Sequence, residues 1–135
     1  MITAEDLDAL GYYDMIQLET HKTPIEMVKE YAKVSKQKPD AYLYENLIEE
    51  EYNEWLDANA SGSWEEELKE LADLLYVIYG YSYAKRWDVG EALRRVHKNN
   101  MGRMYQPDGT IKRRADGKIE KNKDYPKVDL SDLVK

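Results

Sequence analysis

Helix-start signals recur along the chain, and they constrain its fold more than any other feature. "TPIE" at 23–26 offers Thr23 as N-cap, Pro24 at the first helical position and Glu26 to close a capping box. It predicts a helix over about 24–37, ended at the Lys38-Pro39 boundary. Asp40 caps a second helix, which runs to the "NASGS" breaker at 59–63. "SWEE" at 63–66 opens a third through Leu68, Leu71, Leu75 and Ile78. "DVGE" at 88–91 opens a fourth through Leu93 and Val96 to about Met104. A weaker signal, Thr3 before Asp6, marks an earlier one. The pattern then changes: "GTIKRRADGKIEK" (109–121) has a short β-prone run on each side of Asp116-Gly117, a strong hairpin signal. The tail, 122–135, reads as irregular, packing through Leu130, Leu133 and Val134. The expectation is an all-α bundle of four to five helices with a short C-terminal β-hairpin. One domain spans 1–135, its core about 24–104 and its hairpin and tail about 105–135.

Composition narrows the class. The chain of 135 residues is 42% hydrophobic and 35% charged, as in ordinary globular proteins. No run of about 18 apolar residues suggests a membrane span. "MITAEDLDAL" carries acid rather than the basic start of a secretory signal. Cysteine is absent, which excludes a disulfide framework and a thiolate zinc site and fits a cytoplasmic protein. With 12 Tyr and no Phe, tyrosine is expected to fill the core. The net charge of −7 conceals an asymmetry. Residues 45–73 hold eleven acids and one lysine; residues 85–123 hold twelve Lys/Arg and five acids. Such runs are usually solvated faces. The sharper alternative is an acidic centre for cations and a basic segment for phosphates.

"NLIEEEYNEW" (46–55) lies in the acidic part. At about 100° per residue, Leu43, Glu54, Leu47 and Glu51 fall about 20°, 40°, 60° and 100° from Glu50. Glu50, Glu51 and Glu54 thus share a stripe with Leu43 and Leu47 that should face the interior, while Glu49 lies off it. On the third helix Glu70, Asp73 and Val77 form one stripe with Leu74 beside it, and Leu68, Leu71, Leu75 and Ile78 form a second apolar face. A helix apolar on most sides is buried, and its acids enter the bundle with it.

Buried carboxylates must be paired, coordinate a metal or take up protons. Lys69, the one base in this stretch, adjoins Glu70 and is expected to point elsewhere. A divalent cation is then the economical counter-charge; oxygen-only ligands suit Mg²⁺, with Mn²⁺ as the alternative. Neither His21 nor His97 completes the Glu-x-x-His pair of a di-iron bundle, and both read as surface or capping residues. EF-hand, GxxxxGK[ST] and Gly-x-Ser-x-Gly patterns are absent.

Glu50-Glu51-x-x-Glu54, fifteen residues, then Glu70-x-x-Asp73 resembles the EExxE…ExxD signature of the all-α NTP pyrophosphohydrolases. That superfamily includes MazG-type enzymes, dimeric dUTPases and phosphoribosyl-ATP pyrophosphohydrolase. "ELADLLYVIYG" (70–80) is similar to its second motif helix. "VHKNNMGRM" (96–104) and the following "DGTIKRRADGKIEK" are similar to the tail of short MazG-like proteins. The resemblance covers about 24–121. It implies a MazG-like helical bundle that forms a homodimer or homotetramer, with Mg²⁺ held by Glu51, Glu54, Glu70 and Asp73. The reaction implied is (d)NTP plus water to (d)NMP plus pyrophosphate. Glu50 is the catalytic candidate: it orients or deprotonates the attacking water, supports the ligands or serves a second metal.

In this reading Lys98, Asn100, Arg103 and Lys118 are the candidate phosphate contacts, although Lys98 and Asn100 leave the helix in different directions. Arg94 and Arg95 read as surface or subunit-contact residues. Arg113 and Arg114 alternate faces, so at most one of them faces any given site. Gln37, Tyr44, Trp64 and Tyr76 are candidates for a base pocket, but aromatics at helical spacing read first as core. Two alternatives stand beside the triphosphate hydrolase. One is the phosphoribosyl-ATP pyrophosphohydrolase of histidine biosynthesis. The other is a non-catalytic helical module that binds nucleic acid through "IKRRADGKIEKNK"; its basic footprint fits, the overall acidity does not.

Overall fold

A computed structural model of the chain describes residues 22–134. The Thr3–Asp6 signal and His21 lie outside the described residues. Four helices follow the four strong cap signals: α1 (Pro24–Ser35), α2 (Ala41–Ser61), α3 (Trp64–Lys85) and α4 (Val89–Arg103). Each N-cap side chain accepts a backbone N–H: Thr23 from Glu26, Asp40 from Tyr42, Ser63 from Glu66 and Asp88 from Glu91. α1 stops at Lys36, in the left-handed region at φ 58, before the Lys38-Pro39 boundary is reached. The all-α class with a C-terminal hairpin is therefore what forms. None of the described helices is long and apolar enough to cross a membrane.

The chain divides after Arg86 into two compact units. In the first, α2 and α3 form a helical hairpin joined through Gly62 and Ser63, and α1 packs on α3. Val28 and Ala32 of α1, Tyr44 and Ala58 of α2, and Val77 of α3 are its buried apolar residues. The two helices approach closely where the Tyr44 ring lies against Gly80; a Cβ there would sit 2.1 Å from Tyr44 Cε1. Tyr31 and Tyr76 join α1 to α3 edge to face, their centroids 5.9 Å apart.

Two expectations about α3 fail. The face of α3 carrying Leu68, Leu71 and Leu75 is open, these residues being 68%, 39% and 57% exposed. The reason is that α1 and α2 pack on other sides of α3. Trp64, read as core, is 90% exposed, because the first position of α3 precedes the packed part of the hairpin.

In the second unit, β1 (Lys112–Arg113) pairs antiparallel with β2 (Ile119–Glu120), Lys112 opposite Glu120 and Arg113 opposite Ile119. The turn is Ala115–Asp116–Gly117. Gly117 takes φ +85, a conformation L side chains resist, and Asp116 Oδ1 accepts the Lys118 N–H at 3.0 Å. The tail returns along α4. Asn122 N–H donates to Arg103 O at 2.7 Å, and Asn99 Nδ2 donates to Pro126 O at 2.8 Å. Arg95 is not a free surface residue. Its guanidinium grips both Asp132 oxygens, at 2.6 and 2.9 Å, and donates to Asp129 O at 3.2 Å. A short 3₁₀ turn, Ser131–Leu133, follows, with Leu130 and Leu133 half-buried and Val134 exposed.

Candidate active site

The acids converge where α2 and α3 pack. One carboxylate oxygen from each of Glu51, Glu70 and Asp73 lies within 4.8 Å of the other two. Helix geometry explains the placement. The side chains α2 turns inward include Tyr44, Leu47, Trp55 and Ala58, which centre about 100° round the helix from Glu50, at the azimuth of Glu51. Glu51 is drawn in; Glu54 sits on the flank. Glu50 lies off the packed face and is exposed, as is Leu43 at 37%. The expected stripe ran from Glu50 and Leu43 at one edge to Glu51 at the other, whereas Tyr44 against Gly80 turns the helix so that Glu51 faces α3 and Glu50 is left outside. On α3, Glu70 and Asp73 are one turn apart on the side facing α2.

Glu51 Oε2 and Glu70 Oε2 are buried and accept no hydrogen bond. Orphaned carboxylate oxygens are costly. Burial, followed by the charge of Glu54 and then of Asp73, pushes the Glu51 carboxyl up to about 7. A hydrogen bond with Glu54 and the charge of Glu70 act in the same direction. A third buried orphan, the indole N–H of Trp55, lies one turn further along α2 and donates to neither acid.

Lys69 does not point elsewhere. Its long side chain folds back over the next turn, placing Nζ 2.6 Å from Asp73 and 3.5 Å from Glu70. It compensates the outer edge of the cluster, remains 64% exposed, and reaches neither orphaned oxygen. Glu54 and Glu70 also line a cleft of about 330 Å³ with Asp57, Ala58, Ser61, Gly62 and Glu66. Asp57 and Glu66 were not singled out in the sequence. Asp57 follows Glu54 at i+3, and the cap role of Glu66 masked the direction of its carboxylate.

The donor set fits a hard divalent ion: oxygen only, three carboxylates converging, two oxygens without partners. The sequence as a whole matches the phosphoribosyl-ATP pyrophosphohydrolase family over residues 11–100. The chain belongs to that family. As a member of the phosphoribosyl-ATP pyrophosphohydrolase family it is a hydrolase of phosphoric anhydrides, a pyrophosphohydrolase of nucleotide-like substrates. This excludes the non-catalytic module. Enzymes of this family typically depend on a divalent metal, in keeping with the acidic cluster. The match ends at Asn100, so the hairpin and tail lie beyond it. No curated protein shows a significant match to the chain.

In the second unit the four candidate phosphate contacts of this family member separate. Arg103 and Lys118 line one cleft of about 390 Å³. Lys98 lines another, of about 240 Å³, with Arg95, Asn99 and residues of the tail. Asn100 is exposed and lines neither. Of the base-pocket candidates, Tyr44 is core and Tyr76 lines a cleft of about 440 Å³ with Met27, Tyr31 and Val34.

Proposed function

We propose that the chain is a Mg²⁺-dependent nucleoside triphosphate pyrophosphohydrolase, converting a (d)NTP and water to the (d)NMP and pyrophosphate. The observation that supports this most is the convergence of Glu51, Glu70 and Asp73 with two buried, unpartnered oxygens. Glu51, Glu70 and Asp73 would hold the ion, Mg²⁺ first and Mn²⁺ as the alternative, while Glu54, expected as a fourth ligand, lies exposed on the flank of the cluster. A bound divalent ion supplies neutralisation of phosphate charge and a lowered pKa for water.

The chain's own groups do the rest. Attack at the α-phosphorus needs a water whose proton is taken as the bond forms. Glu54 is the stronger candidate for that proton, because its charge is felt by the Glu51 carboxyl and it borders the cleft. Glu50 is the weaker, since it lies about 100° round α2 from Glu51. Lys69 holds the Asp73 carboxylate in place while leaving the orphaned oxygens free. Basic groups among Lys98, Asn100, Arg103 and Lys118 contribute phosphate contacts. Subunits pair as a homodimer or homotetramer, a reading supported by the open leucine face of α3.

The second reading is hydrolysis of phosphoribosyl-ATP itself, favoured by the family match. A panel of (d)NTPs and phosphoribosyl-ATP, assayed for pyrophosphate with and without Mg²⁺, separates the two. Release that depends on Mg²⁺ and is lost in Glu51→Gln and Asp73→Asn is expected. Absence of release from every compound would overturn both readings.

A further inference from the structure

We propose that the cleft between the end of α4 and the hairpin is an oligophosphate-binding subsite, with Lys121 and Lys123 as contacts beyond the four candidates named above. The inference rests on the nucleotide reading for its choice of ligand, not for the existence of the site.

The cleft, about 390 Å³, is lined by Arg103, Arg114, Lys118, Ile119, Glu120, Lys121 and Lys123. Five cations therefore face one small volume with a single acid. Arg114 is paired with Asp116 at 2.8 Å. The side chains of Arg103, Lys118, Lys121 and Lys123 have no ion-pair partner among the described residues. Gathering unpaired like charges is unfavourable unless a counter-charge arrives.

The backbone holds them in place. The Asn122 N–H to Arg103 O bond fixes the residues on either side, Lys121 and Lys123, against the helix end. Gln106 Nε2 donates to Glu120 O at 2.9 Å and anchors β2. The Arg114 N–H donates to Lys118 O at 2.8 Å, which closes the turn that carries Lys118. The framework is thus set by two main-chain bonds and one from the Gln106 side chain, and the cationic residues line one cleft without pairing with its single acid.

The chemistry that matches is a compact row of phosphate oxygens. Lysine binds these as a point charge, and arginine binds them through its planar fork. A long polyanion fits less well: the cleft is small, and a chain of net charge −7 repels a nucleic-acid backbone that extends beyond it. Inorganic tripolyphosphate and pyrophosphate are therefore the probes, and a short oligophosphate group is the inferred occupant.

The test is calorimetric titration of the full chain with tripolyphosphate at fixed ionic strength. It compares wild type, the Lys121→Gln/Lys123→Gln double variant and Lys33→Gln, an exposed lysine of α1 that does not line the cleft, with circular dichroism to show equal folding. The double variant should lose about tenfold or more in affinity and Lys33→Gln less than about twofold. Equal affinity in all three proteins overturns the subsite. Tighter, Lys121/Lys123-dependent binding of a single-stranded oligonucleotide than of tripolyphosphate also overturns it, in favour of a nucleic-acid backbone. Tripolyphosphate binding that depends on these lysines, in a protein that hydrolyses no nucleotide, upholds the subsite and sinks the proposed function instead.

Discussion

Glu51 is under two opposed demands, and both are measurable. Its carboxyl, ordinarily near 4.5, is raised to about 7, first by burial and then by Glu54 and Asp73. Below pH 4.5 it is protonated whether the chain is folded or not, and it contributes no pH dependence. Between about 4.5 and 7 the unfolded chain has lost a proton that the folded chain keeps, so this group's contribution to stability falls as pH rises. Above about 7 the loss is complete and constant. Glu51→Gln removes the titration. In metal-free protein the melting temperature of Glu51→Gln minus that of wild type should grow from pH 4.5 to 7 and then level off. A gap that does not change with pH would contradict this origin. Added Mg²⁺ should stabilise wild type and not the variant. The neighbouring acids separate by placement: Glu54→Gln should cost about 10²-fold or more in kcat as a general base would, and Glu50→Gln far less. Steady-state kinetics of the two variants decide it, and the reverse order would return the role to Glu50.

At the scale of the elements, the close approach of α2 to α3 is what brings the acids within reach of one another, and it depends on the absence of a side chain at Gly80. A methyl there would meet the Tyr44 ring at 2.1 to 2.6 Å. Gly80→Ala should therefore destabilise the fold by about 1–3 kcal/mol by overpacking, despite the better helix propensity of alanine. Urea unfolding measures this, and a neutral or stabilising result would mean that the two helices separate freely. The same contact shows where the wheel on α2 was misaimed. Leucines and carboxylates alternate so closely there that several stripes are equally apolar. Only the Tyr44–Gly80 contact selects the one centred on Glu51. The helix ends were easier to read, because a cap acts within three residues of itself: Thr23, Asp40, Ser63 and Asp88 all bond as their spacing suggests.

For the molecule as a whole, Leu68, Leu71 and Leu75 form an apolar row that is left open among the described residues. Contiguous apolar surface of this kind marks an interface. Wild type should elute in light-scattering chromatography at twice or four times its 15.9 kDa chain mass, and Leu68→Glu/Leu75→Glu should dissociate it. A monomeric wild type would remove the proposed pairing. The amino-acid sequence by itself determined the helix boundaries, the hairpin at Asp116-Gly117 and the acid pattern of the family. All of these are local: caps, glycine φ angles and i,i+3 spacings act within one or two turns of chain. Tertiary packing alone decided that Glu50 stays outside the acid cluster, that Lys69 folds onto Asp73, and that Arg95 holds the tail. It alone decided, too, that Arg103 and Lys118 share a cleft without Lys98. These outcomes depend on which faces touch and on how far long side chains reach back, and neither is carried by local spacing.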